Sequence, residues 1–245
     1  MTEDDLKIAE NTSKNTHNTV AKLLLEERAC RIVLDIPCGE GAFTKRLLDA
    51  GLDVHSADCQ EIIRLPPRKF SIADMSERLP YDDAMFDAVV CIDGIEHIER
   101  PFDFIKECRR ILRKGGVLII STPNLLALRS RWRWLLTGFH QGEKSPLDEQ
   151  HYTPLHHLSL VSFPELRYRL HANDFRISAI ETNRVKFISW IYGALVPFSY
   201  LMTRWVFNKE EKREAVRQQN KEIFQQLFTM PILFGETLIV KAVRQ

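Results

Sequence analysis

Three aspartates stand at matching places in this sequence. Asp35 closes the apolar run CRIVLDI (30–36), Asp58 follows DVHSA (53–57), and Asp74 follows KFSIA (69–73). An acid beside a ligand loop is a poor neighbour for phosphate and a good one for a cation. Asp35 leads into the loop PCGEG, where Gly39 and Gly41 let the backbone pass close to a ligand without a side chain in the way. A dinucleotide loop would read G-x-G-x-x-G and aim a helix N-terminus at a pyrophosphate. Here Pro37 takes the first glycine's place, and no third glycine follows.

Asp58 lies 23 residues after Asp35, where a carboxylate accepts from ribose hydroxyls. A carboxylate at Asp74 can accept from an adenine amino group, and the apolar Met75 beside it can cover the ring. Ribose, adenine and an ammonium group, with no phosphate binder, describe S-adenosylmethionine better than NAD or ATP.

Other residues could act on an acceptor. Glu96 and His97 follow the apolar run FDAVVCI (86–92), and His140, His151, His156 and His157 crowd the stretch 140–160. A histidine suits proton transfer near neutral pH, and His97, His151 and His156 are the candidates for a general base. The histidine spacing follows no known metal pattern and no cysteine lies nearby, so no metal site is expected. The five cysteines form no C-x-x-C pair, which argues against zinc or redox chemistry. Cys38 is read as packing, with its backbone making any ligand contact.

These residues need a frame. The strand-like runs 30–36, 53–57, 69–73, 86–92 and GGVLIIST (115–122) alternate with helical or irregular connections, including helices over 42–50 and 101–114. That alternation predicts a parallel sheet with helices on both faces and ligands at the strands' carboxyl ends. Further on, the pattern predicts helices over 125–139, 163–175 and 209–227, and strands over 176–182 and 234–243. Residues 1–16 are polar and expected to be loosely ordered. With 245 residues, 44% hydrophobic and 27% charged, the chain can build one substantial α/β domain. A net charge of +1 gives no bulk attraction to nucleic acid. Residues 1–124 read as an N-terminal helix and the cofactor-binding half. Residues 125–245 read as a helical cap, an apolar segment and the closing strands of the same domain. The free cysteines and the polar, acidic start suit the cytoplasm.

In its motifs the chain resembles the class I S-adenosylmethionine-dependent methyltransferases, in the branch of ubiquinone-type and glycan-cluster enzymes. VLDIPCGEG looks like that family's first motif, usually with glycine where Pro37 stands. ADMSERLPYDDAMFDAVVCIDGIEHI looks like its middle motifs, ILRKGGVLIISTPN like its fifth-strand motif, and HLSLVSFPELRYRLHANDF like a later segment. The resemblance implies a doubly wound, mostly parallel seven-stranded sheet with an inserted helical cap, and a last antiparallel strand beside the fifth. It implies S-adenosylmethionine as cofactor, with Asp35, Pro37, Cys38, Gly39 and Gly41 at its methionine end. Asp58 and Cys59 fall at the ribose, Asp74 and Met75 at the adenine, and Cys91, Ile92 and Asp93 at the reacting centre. Two departures stand out. Pro37 has no N–H to give a ligand, and the connection from Asp58 to Lys69 is too short for the usual helix, which leaves the adenine pocket more open.

The expected activity is methyl transfer to a small or lipid-linked acceptor, with an oxygen on a surface glycan or its precursor favoured. A quinone-pathway acceptor and a non-catalytic cofactor-binding module are the alternatives. No nucleic-acid partner is expected. The apolar stretch FISWIYGALVPFSYLMT (187–203) is short for a ~30 Å hydrocarbon core, yet Arg184, Lys186, Arg204 and Lys209 flank it and Trp190 and Trp205 sit near its ends. That pattern suits peripheral contact with the inner face of a membrane through residues 187–207. A cover over the site and a homodimer contact are the other readings.

Overall fold

The computed structural model describes residues 8–65, 69–142, 150, 151, 153, 156–210 and 213–245. Seven strands form one sheet: β1 (Ile32–Asp35), β2 (Asp53–Asp58), β3 (Phe70–Ile72), β4 (Phe86–Ile92), β5 (Leu112–Pro123), β6 (Phe175–Thr182) and β7 (Thr237–Arg244). Their order across the sheet is β3-β2-β1-β4-β5-β7-β6. The pairs among the first five strands are parallel, and β7 runs antiparallel to β5 and β6 on either side.

The central strands are buried on both faces, so they read as continuous apolar runs rather than alternating ones. All seven residues of β4 are buried. The period-two alternation is visible in the packing. Leu34, Val89 and Ile120 point into one core with α3 (Pro101–Ile111) and α5 (Phe163–His171). Val33, Val90 and Ile119 point into the other, against α1 (Thr16–Leu25) and α2 (Ala42–Asp49).

Element boundaries differ from the sequence pattern where long-range pairing competes. The helix expected over 101–114 ends at Ile111, because Leu112 pairs with Phe86 and opens β5. The helix expected over 125–139 is shorter, as α4 (Leu128–Thr137). The charged helix expected over 209–227 is α7 (Glu214–Leu227), preceded by a separate α6 (Val196–Glu210). A 3-10 helix covers Phe187–Leu195, and the short α8 (Met230–Phe234) leads into β7.

The expectation of a loose start is overturned for the residues described. Thr16 is already the first residue of α1, and residues 9–13 lie along the ligand cleft. Asn183 donates to the Lys14 carbonyl at 3.1 Å, and Thr12 Oγ1 donates to Asp93 Oδ2 at 2.5 Å. The first seven residues lie outside the described part of the chain.

Candidate active site

A cleft of about 1580 Å3 opens along the carboxyl ends of β1, β2 and β4 and the turns after β3 and β5. Asp35, Asp58, Asp74 and Met75 line one stretch of it. Ile92, Asp93, Glu96, His97 and His157 line another.

At the first stretch the loop after β1 is braced by an acid on the neighbouring strand. Gly39 N–H donates to Asp58 Oδ2 at 2.9 Å, and Gln60 N–H donates to Asp58 Oδ1 at 3.2 Å. Gly39 has φ +52° and open space where a Cβ would stand, so the backbone meets the cleft bare. Asp35 is buried at the strand end, and Thr44 Oγ1 donates to its Oδ2 at 2.6 Å. Burial pushes the Asp35 carboxyl up to about 7, the Asp58 charge adds to this, and the Thr44 hydroxyl works against it. The Asp74 side chain accepts from the Ser76 N–H at 2.7 Å, and the buried Met75 follows it.

Pro37 has a packing role. A Cβ on Gly94 would stand 2.3 Å from Pro37 Cδ, so the proline ring lies directly against the turn after β4. The Ile36–Pro37 peptide is cis. The Cys38 thiol is buried and pushed well up, first by burial and then by Asp35, so it is no thiolate nucleophile. Burial raises the Cys59 thiol as well, although the residue as a whole is exposed beside Asp58.

Two residues assigned to the cofactor sit elsewhere. Gly41 does not line the cleft; Ile63 and Leu65 lie over it, and a Cβ would meet Ile63 Cγ1 at 2.9 Å. Its glycine serves the irregular segment 59–65, which takes the place of a helix after β2 and is tied back by Arg64 N–H to the Glu40 carbonyl at 3.0 Å. Cys91 is fully buried in the core and does not line the cleft.

At the second stretch Asp93 has φ +46°, and its Oδ1 accepts from Ser121 Oγ at 2.6 Å. Glu96 and His97 lie on a 3-10 turn, Ile95–His97. His97 Nδ1 is 3.1 Å from the His156 carbonyl. A carbonyl only accepts, so Nδ1 carries the hydrogen, and in the neutral ring the lone pair is on Nε2. Of the three histidine candidates, only His97 lines the cleft among the described residues. His156 contributes its carbonyl to His97, and His151 is exposed and does not line the cleft. His157, from the same crowded stretch, does line it. The polar strap of residues 9–13, together with Arg133 and Thr153, also borders the cleft. No sequence period marked them.

The sheet order, the antiparallel β7 and the acids at the ends of β1 and β2 define a Rossmann-like methyltransferase fold of class I. Residues 34–120 match the family described as methyltransferase domain. Residues 34–120 are thus similar to a methyltransferase domain, within a chain that has the class I fold, and S-adenosylmethionine is the cofactor of that class. A probable S-adenosylmethionine-dependent methyltransferase of Mycolicibacterium smegmatis is 32% identical over 162 residues, which is 64% of this chain and 58% of that protein. A ubiquinone biosynthesis O-methyltransferase of Roseobacter denitrificans is 28% identical over 130 residues, 46% of this chain and 52% of that one. The chain thus spans between half and three-fifths of the length of these two relatives. The crystal structure of an S-adenosylmethionine-dependent methyltransferase from Archaeoglobus fulgidus shares the fold, with a TM-score of 0.56, 20% identity and coverage of 93% of this chain and 92% of that one.

The residues present fit the cofactor. The acids at the ends of β1 and β2 and after β3 supply acceptors, the bare Gly39 backbone gives room, and no glycine-rich phosphate cradle is present among the described residues.

Proposed function

We propose that this protein transfers a methyl group from S-adenosylmethionine to an oxygen of a small or lipid-linked acceptor, a glycan sugar or its precursor in first place. One observation carries the reading: a single cleft joins the carboxylates after β1, β2 and β3 to a histidine of fixed tautomer after β4. When bound, the cofactor supplies an already electrophilic sulfonium methyl. Asp35 is placed to pair with its ammonium, Asp58 to accept from its ribose while holding the Gly39 loop, and Asp74 with Met75 to receive the adenine. Pro37, wedged against Gly94, joins the cofactor loop to the turn that carries Glu96 and His97. Alignment of acceptor and methyl can supply several kcal/mol of the barrier. The Nε2 lone pair of His97 offers a place for the acceptor's proton.

The lipid-linked form of the acceptor draws support from the surface. Phe187 is 88% exposed, and Trp190, Ile191, Phe198, Leu201 and Trp205 are exposed with it. Trp134, Leu135 and Leu136 of α4 are exposed too, and Arg131 of that helix donates to Ser199 of α6 at 3.1 Å. Arg184, Lys186, Arg204 and Lys209 border this surface in sequence, which suits anionic headgroups. No described residue of 187–207 lines the cleft, which tells against the reading of this segment as a cover. No helix among the described residues is long and apolar enough to cross a membrane. A prenylated ring is the second acceptor, favoured by relatives whose names place them in ubiquinone biosynthesis.

The test is incorporation of label from methyl-labelled S-adenosylmethionine into lipid-linked glycans, prenylated phenols and water-soluble sugars offered in parallel, with co-sedimentation on anionic vesicles. Label in the lipid-linked glycan and salt-sensitive sedimentation are expected. Label in water-soluble sugars alone, with no sedimentation at low salt, removes the lipid-linked acceptor. Binding of S-adenosylhomocysteine without label in any acceptor turns the chain into a cofactor-binding module.

A further inference from the structure

We propose that Arg133 seats the phosphate that joins a lipid-linked acceptor to its lipid, at the β7 end of the cleft. The cleft is lined mostly by acids, Asp35, Asp58, Asp74, Asp93 and Glu96 among them. Its described lining holds no lysine and two arginines, Arg100 and Arg133. The two stand at opposite ends of the row of strands. Arg100 lies on the β3 side, 3.7 Å from Glu77 and 3.5 Å from the Ser76 carbonyl. Arg133 comes from α4, which follows β5 and packs on α8 and on the 3-10 helix Phe187–Leu195. At that end the cleft is also lined by Glu236 and by Pro123 and Thr237, which pair across β5 and β7.

Two features suit this end to an anion. Glu236 is held by two cations, with Arg184 Nε 2.5 Å from Oε2 and Lys186 Nζ 2.6 Å from Oε1. Two positive charges against one negative leave one in excess, so the carboxylate that would repel a phosphate is more than neutralised. The second feature is the setting of α4. Arg131 donates to the Leu126 carbonyl at 2.7 Å and to Ser199 of α6 at 3.1 Å. Residues two apart on a helix point about 200° apart, so Arg133 leaves the opposite side and reaches the cleft. Ser130, one turn before it, accepts from the Gln141 N–H at 3.0 Å and folds Gln141 and Gly142 into the same lining.

The ligand's chemistry follows from this setting. A guanidinium presents a planar fork that matches two phosphate oxygens. α4 is also the wall between the cleft and the apolar surface, where its Trp134, Leu135 and Leu136 are exposed with Phe187 and Trp190. A molecule with its phosphate at Arg133 can send its lipid over α4 and its sugar along the cleft towards His97. The acids elsewhere repel the phosphate, so charge fixes which end of the acceptor enters. This role rests on the methyl-transfer reading, whereas the binding is measured without turnover. The phosphate of a membrane headgroup has the same chemistry, and the experiment separates the two sources.

Farnesyl phosphate and farnesol, each below its micellar concentration, are titrated by calorimetry into protein saturated with S-adenosylhomocysteine. Arg133→Gln and Arg133→Lys are run beside the wild type, and each protein is also sedimented with phosphatidylglycerol vesicles. The wild type is expected to bind farnesyl phosphate at least tenfold more tightly than farnesol. Arg133→Gln should lose that preference and Arg133→Lys should keep part of it, with S-adenosylhomocysteine affinity within twofold in both. Vesicle sedimentation of Arg133→Gln should match the wild type. Equal binding of the two probes by the wild type, or an intact preference in Arg133→Gln, overturns the seat. So does a loss of vesicle sedimentation in Arg133→Gln, which would put this arginine in the headgroup layer. Failure of the wild type to bind S-adenosylhomocysteine would instead count against the methyl-transfer reading.

Discussion

The two ends of the cleft are built in different ways. At the proposed cofactor end Asp35 and Asp58 close their strands and Asp74 stands two residues beyond β3, and the strands pair with their neighbours in register. At the acceptor end the side chains come from a 3-10 turn, an N-terminal strap and a segment some sixty residues further on. The first end is held by the sheet, so its geometry is as firm as the core. The second is held by hydrogen bonds between loops distant in the chain, a set of contacts that can change to suit different acceptors without altering the sheet. One scaffold can in this way keep its cofactor while its substrate varies.

Variants can break or sharpen that contrast. The largest effect is expected from Asp58→Ala, which removes the proposed ribose acceptor and the brace on Gly39 together. S-adenosylhomocysteine affinity should fall by about 1.5–3 kcal/mol, the range for hydrogen bonds to a charged group. Calorimetry that shows no change would move the ribose away from β2. Next comes Gly94→Ala, which drives a methyl into Pro37. Overpacking of this kind costs about 1–3 kcal/mol, and a lowered denaturant midpoint should report it. Pro37→Gly removes the obstacle, so adding it to Gly94→Ala should restore much of the lost stability.

Asp35 gives a pH signature. The folded state holds its proton to about 7, whereas an unfolded aspartate releases it near ~3.9. The folded state therefore binds the extra proton between these values, and this group's contribution to stability declines as pH rises through that window. It is fully present below the unfolded value and lost above about 7. Asp35→Asn should flatten this decline in denaturation series from pH 4 to 8. In the wild type, the cofactor's ammonium should displace the proton, so calorimetry at pH 6 should show an enthalpy that depends on the buffer's own ionisation. An enthalpy independent of buffer would separate Asp35 from the ammonium. The smallest effect on the cofactor is expected from Trp190→Ser with Trp205→Ser. These changes should weaken vesicle sedimentation while leaving S-adenosylhomocysteine affinity within twofold.

The same contrast explains what could be read from the sequence. β4 matches its apolar run end to end, because a strand buried on both faces must be continuously apolar. The positions of Asp35 and Asp58 along the cleft were legible because a parallel sheet brings the carboxyl ends of its strands to one edge. Gly41 and Cys91 misled for a shared reason: a motif shows proximity in the chain, and the direction of a side chain depends on its packing. Ile63 covers Gly41, and the core takes Cys91. His157 and the strap at residues 9–13 were hidden because nothing local marks a residue that is brought in by a distant hydrogen bond. The end of α3 was missed because Leu112 has a strand partner that helical periodicity does not include.

The N-terminal strap has a consequence for timing. Thr12 is tied to Asp93 and Lys14 to Asn183, so the segment lies along the mouth through which ligands pass. A ligand that enters past the strap has to break or skirt these two hydrogen bonds on the way in and on the way out. Residence time and affinity therefore become separately adjustable. A bulky tag fused at this end would be felt in how quickly spent cofactor leaves, even where a titration of bound against free ligand reads as normal.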